Sequence, residues 1–170
     1  MQLISASEGD TPCCHRPPPP ALLKGIEEFN QHAYFECHET LEELWNQERV
    51  GRSQQHRQPQ HSHDVKPQQV SSGCDDLYKG ILQVGVGCYH LLRRNYHGAT
   101  VKLQSGANYL EPFTPVCMKV QVAQLIADAR SLRAALVALG PHHFTEVDLA
   151  LLPQVRLAGS TEGEETSTET

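Results

Sequence analysis

Five stretches of the chain place apolar residues at three- and four-residue steps, the spacing that stacks side chains on one face of an α-helix. Leu22, Ile26 and Phe29 mark the first, which starts at Pro20 and reaches about Asn30. Proline suits a first helical position, where its missing N–H is not needed. Asn30-Gln31-His32 makes a break, with Asn tolerating the left-handed conformation. Tyr34, His38, Leu41 and Trp45 mark the second stretch, from about Ala33 to Arg49. The third begins near Asp75-Asp76, where acids favour a helix N-terminus. It carries Leu77, Ile81, Val84, Cys88 and Leu91 on one line and Leu82, Val86 and Tyr89 on another, which predicts a central core helix. Its Gly80, Gly85 and Gly87 each cost ~1 kcal/mol of helix propensity against Ala, a loss that close approach of neighbouring helices offsets. After the break at Asn95-Tyr96-His97-Gly98, Ala99, Leu103, Gly106 and Leu110 mark a fourth helix, ended by Pro112 and Pro115. Val122, Leu125, Ala129, Leu132, Leu136 and Leu139 mark a fifth, from about Cys117 to the stop at Gly140-Pro141.

This pattern predicts an all-α fold: a single bundle of about five helices built on two antiparallel helix hairpins, occupying residues 21–141. Residues 1–20 end in four prolines and read as a disordered, extended arm. Residues 50–74 are Gln/His-rich, with two prolines and no apolar period, and read as a long mobile loop inserted into the domain. Residues 142–158 carry Phe144, Val147, Leu149, Leu151 and Leu152, which reads as a short docked segment. Residues 159–170 form an acidic, Ser/Thr-rich tail expected to be disordered. Phe29 precedes Tyr34 by the same interval as Leu91 precedes Tyr96, a weak internal echo of helix-hairpin repeats. Two copies fall short of a solenoid, so a closed bundle is the better reading.

Charge and cysteine content narrow the function classes. Net charge is −6, and the 14 Lys and Arg form no cluster beyond Arg93-Arg94, which argues against a nucleic-acid partner. The third helix is interrupted by Lys79, Gln83 and His90, so no membrane span is expected. The six cysteines, at 13, 14, 37, 74, 88 and 117, show no Cys-x-x-Cys spacing. They read as reduced residues of a cytoplasmic protein without a disulfide framework. Glu8 and Asp10 disfavour a secretory signal or an acid-poor transit peptide.

The candidate chemistry sits on the second helix. His38 lies within its apolar stripe, Glu42 follows four residues later beside Trp45, and Glu39 is adjacent. Gln83 and His90, two turns apart on the third helix, are a second source of inward polar groups. The favoured reading is a non-catalytic binding or structural module in which His38, Glu42, Gln83 and His90 form a buried polar network closed over by Trp45, with Glu39 at its edge. Buried polar groups need partners, since an unsatisfied one costs ~1–3 kcal/mol. The alternative is a divalent metal site with hydrolase-like chemistry: His38, Glu42 and His90 as ligands and Glu39 as base, by analogy with the His-Glu-x-x-His zinc motif. Both predict His38 and Glu42 within direct or one-water reach of Gln83 or His90. His56, His61 and His63 offer imidazoles to a soft metal, but nothing on that loop preorganises them.

Two blocks carry a resemblance: Phe29-Asn30 with Tyr34-Phe35-Glu36-Cys37-His38-Glu39-Thr40-Leu41-Glu42-Glu43-Leu44-Trp45, and Gly80-Ile81-Leu82-Gln83-Val84 through Tyr89-His90-Leu91 to Asn95-Tyr96-His97-Gly98-Ala99. Across roughly residues 21–139 the chain resembles the domain-of-unknown-function 309 family, small all-helical proteins of bacteria, archaea and photosynthetic eukaryotes. It departs from that pattern in its long Gln/His-rich loop and in both tails. The resemblance implies a helical bundle, often self-associating, with the two motif helices packed together. It adds a plastid as the alternative location and implies no activity. The ligand, whether protein or small molecule, is not specified by any motif.

Overall fold

A computed structural model describes residues 12–55 and 73–159. The fold is an all-α bundle of five helices: α1 (Pro20–Asn30), α2 (Tyr34–Gln55), α3 (Cys74–Leu92), α4 (Tyr96–Leu110) and α5 (Val122–Leu139). Each helix packs mainly on its neighbours in sequence, so the chain stacks as α1, α2, α3, α4, α5, with α3 against α4 the most extensive contact. The connections of α1 to α2 and of α3 to α4 are each three residues long, and both turn on a non-glycine residue in the left-handed region, His32 (φ 60°) and Arg94 (φ 58°). His32, rather than the expected Asn30, therefore makes the first turn. No described helix is long and apolar enough to cross a membrane.

The apolar stripes read from the sequence are the ones buried. Leu22, Ile26 and Phe29 of α1, Leu77, Ile81, Val84, Cys88 and Leu91 of α3, and Leu103 and Leu110 of α4 meet in one core with Leu125, Leu132 and Leu136 of α5. Glycine lets α3 and α4 approach closely: a Cβ added at Gly106 would stand 2.7 Å from the Val84 amide nitrogen and 3.0 Å from the Gly80 carbonyl oxygen. The interface uses backbone surface where side chains would hold the helices apart.

Four local differences from the sequence reading have physical causes. α2 continues through residues 50–55, which were expected in the loop; one further helical hydrogen bond per residue extends an established helix at little cost. Residues 56–72 of that Gln/His-rich segment, with His56, His61 and His63, lie outside the described residues, as do residues 1–11 and 160–170 of the tails. Residues 117–121 do not open α5. They form a hairpin, β1 (Val116–Cys117) with β2 (Val120–Gln121), turned by Met118 and Lys119 at φ 46° and 63°. Met118 is buried there and accepts a 3.6 Å contact from the Tyr78 hydroxyl. The arm from Pro12 to Pro20 is packed rather than free: a 3-10 turn, Pro12–His15, buries Cys13, and the Cys14 carbonyl accepts a 2.9 Å hydrogen bond from the Met118 amide. A disulfide joins Cys14 to Cys117, which corrects the expectation of a chain without disulfides. Spacing gives no sign of a pair that only the hairpin brings together.

The C-terminal described segment closes the bundle. Phe144 and Val147 pack near a 3-10 turn, Phe144–Glu146, and residues 155–158 run beside the hairpin, with a bridge between Val120 and Leu157. Asn30 clasps this segment: its Nδ2 donates to the Val155 carbonyl at 2.9 Å and its Oδ1 accepts from the Val155 amide at 2.8 Å. Asn30→Ala removes both bonds at once and is expected to lower stability by about 1–3 kcal/mol. A urea midpoint within error of wild type would show the clasp to be energetically idle.

Candidate functional site

The buried side of α2 is rotated from the sequence reading. Tyr34, Cys37, Leu41 and Leu44 face the core, while His38 and Trp45 sit one residue further round, at its edge. Both sets fit a helical period. Leu44 and Cys37 take the centre because they are wholly apolar and Gly25 of α1 leaves room for Leu41 between them. The His38 and Glu42 side chains are consequently 39% and 49% exposed, with Nδ1 and Oε2 3.8 Å apart. They form a surface pair, which contributes little to stability.

His90 belongs to a different assembly. Its Nδ1 meets Asn95 Nδ2 at 3.2 Å, and Asn95 Oδ1 accepts from the Gly98 amide at 2.9 Å, capping α4. A Cβ on Gly98 would lie 2.7 Å from the His90 ring. Partial burial, and secondarily the nearby Lys102, push the His90 pKa down. A neutral imidazole with a free Nδ1 lone pair is what Asn95 needs as acceptor. The second motif block is thus a helix-capping unit, with Tyr96 packed on Phe144 at 5.4 Å between ring centres.

Among the described residues no hydrogen bond joins His38 or Glu42 to Gln83 or His90. His38 and Glu42, expected in a buried network, stand at the surface without a direct bond to either. Gln83 is half-buried on α3. His38, Glu42 and His90 do not converge as a three-ligand set either; the described three-ligand group is Cys13, Cys14 and Cys117. Glu39 is exposed on the outer face of α2.

Trp45 gathers cations instead of closing a network. Lys79 Nζ lies 5.0 Å from its ring centre and 4.6 Å from that of Tyr109, and the Arg49 guanidinium carbon lies 4.7 Å from Trp45. Lys79, which reads in the sequence as an interruption of the α3 stripe, thereby links α2 to α4 through two aromatic faces. Under the opening turn of α2, the buried Tyr34 hydroxyl lies beside the Cys88 thiol. Burial pushes the Cys37 and Cys88 thiols up to about 12, so both stay protonated and inert as nucleophiles.

The outer face of α2 carries a solvent-open depression lined by Glu39, Glu42, Glu43, Asn46, Gln47, Val50 and Gly51. From Tyr34 to Glu48 the helix holds Glu36, Glu39, Glu42, Glu43 and Glu48 and no Lys or Arg. Three carboxylates of that depression are exposed and ordinary in position. They can attract a cation, and nothing beside them supplies a nucleophile. In the sequence Glu42 reads as part of the buried network and Glu39 as its edge, so the density of acids on this face was the available signal.

Residues 22–58 match the family described as Domain of unknown function (DUF309), and the assignment made from the sequence stands on that stretch, which covers α1 and α2. No curated protein and no solved structure matches the chain.

Proposed function

We propose that the chain is a non-catalytic helical binding module that offers the outer face of α2 to a basic segment of a partner protein. The observation that carries this reading is the depression lined by Glu39, Glu42 and Glu43. Five carboxylates on four turns, with no cation until Arg49, give α2 a field of one sign. Val50 and Phe35 are exposed beside these acids and add apolar contact. Self-association has to use another face, because two copies of an acidic ridge repel one another. A small-molecule ligand is the alternative occupant.

Trp45 is the single tryptophan and flanks the proposed face. Titration with a Lys/Arg-rich decapeptide, followed by Trp45 emission and backbone amide shifts, is expected to perturb α2 selectively and to weaken as salt rises. A Glu-rich decapeptide is expected to do nothing. Glu39→Gln, Glu42→Gln and Glu43→Gln combined should weaken binding about tenfold or more, ~1.4 kcal/mol per decade. Unchanged affinity in the triple variant, or shifts confined to other helices, would overturn the reading.

A further inference from the structure

Away from α2, four sulfurs gather at the junction of three distant segments. The 3-10 turn Pro12–His15 supplies Cys13 and Cys14, β1 supplies Cys117, and the first residue of α3 is Cys74. The sulfurs of Cys13, Cys14 and Cys117 lie within 4.8 Å of one another. Cys74 lies beside Cys13, outside that trio. Cys13, Cys74 and Cys117 are buried and Cys14 is half-buried. A disulfide between Cys14 and Cys117 uses two of these sulfurs and leaves two thiols beside it.

We propose that the reduced form of this cluster is a structural zinc site, with Cys13, Cys14 and Cys117 as ligands and Cys74 as the fourth. Zinc takes four thiolates in a closed tetrahedral arrangement, and soft sulfur donors select it over hard cations. A dithiol opens the site: it gives two electrons and two protons to the Cys14–Cys117 bond, which becomes two thiols, while its own sulfurs form a disulfide. Each of the four thiols then loses its proton to water as a zinc–sulfur bond forms. The four-thiolate complex carries net charge −2. Arg16 acts on Cys74 in the favourable direction, and the positive end of α3 lies at the same residue. Glu48 opposes them. Zinc binding displaces thiol protons at sites of this kind.

The site ties together segments that are 103 residues apart in sequence at Cys14 and Cys117. Its consequence is structural: metal holds the arm and the hairpin on the N-terminus of α3 whenever the disulfide is open.

The test uses the full chain, reduced with a dithiol, freed of reductant under inert gas and dialysed against zinc sulfate alone. One zinc per chain is expected, together with a higher thermal midpoint. Cobalt in place of zinc should give the intense thiolate-to-metal absorption of a sulfur-rich tetrahedral site. The disulfide form should bind none at this site. Cys14→Ser, at the half-buried position, should lose the cobalt band while keeping the helical circular dichroism of wild type. Cys117→Ser provides the second variant, and Cys37→Ser the control that keeps full binding. A reduced protein that takes up no zinc would overturn the proposal. So would zinc retained in Cys14→Ser and Cys117→Ser but lost when His56, His61 and His63 are replaced by Gln. Neither outcome bears on Glu39, Glu42 and Glu43 of the α2 face, which lie outside the cluster.

Discussion

Phe29→Ala is expected to lower stability by about 4 kcal/mol, near the middle of the range for a buried aromatic truncated to alanine. Phe29 is fully buried at the end of α1. Its ring meets Tyr34 of α2 edge-on at 5.5 Å and lies against Gly85 of α3, 3.3 Å from where a Cβ would stand. One side chain therefore joins three helices, and its loss leaves a cavity that none can close without moving the other two. The thermal midpoint should fall by roughly 8–16 °C for a chain of this size. Phe29→Leu, which refills most of the volume, should recover more than half of the loss. A fall of less than about 1 kcal/mol in chemical denaturation would show that α1 contributes little to the cooperative unit.

Gly106→Ala should destabilise by about 1–2 kcal/mol although alanine is the better helix former. The propensity gain is ~1 kcal/mol. Against it, the new methyl meets the Val84 amide nitrogen and the Gly80 carbonyl of α3, backbone atoms that cannot rotate aside. The two helices have to separate, and overpacking of this kind costs typically 1–3 kcal/mol and occasionally more. Gly85→Ala is the informative companion. Its methyl meets the Phe29 ring at 3.3 Å, a side chain that can give slightly, so its effect should be within about 1 kcal/mol of zero. Equal effects at the two positions, read from urea midpoints, would contradict the close α3–α4 approach.

Much of this fold is legible in the sequence because burial repeats with the helix. The stripes through Leu77 to Leu91 and Val122 to Leu136 are the buried ones. The candidate site is less legible for three separate reasons. On α2, the sets 34-38-41-45 and 34-37-41-44 both satisfy a helical period, and the choice between them is made by where α1 and α3 lie. That small rotation turns His38 from a core residue into an edge residue. On α3, Gln83 and His90 do share a side, but His90 is in the last turn, where Asn95 reaches it first. The thiol cluster draws on residues 13, 14, 74 and 117, so no local spacing encodes it. The hairpin that positions Cys117 has two residues per strand and is turned by Met118-Lys119, without the glycine or asparagine that would mark such a turn.

The clasp of Asn30 on Val155 spans 125 residues. During synthesis α1 and α2 leave the ribosome long before that partner exists, while α2, α3, α4 and α5 can each pack on the helix just made. The order of assembly is therefore written into the stack: neighbours associate as they emerge, and the two hydrogen bonds at Asn30 close the structure last. Until then α1 is held by its apolar stripe and by the short turn into α2. A nascent chain halted before Val155 should carry its helices but remain more open to proteases at α1 than the full chain.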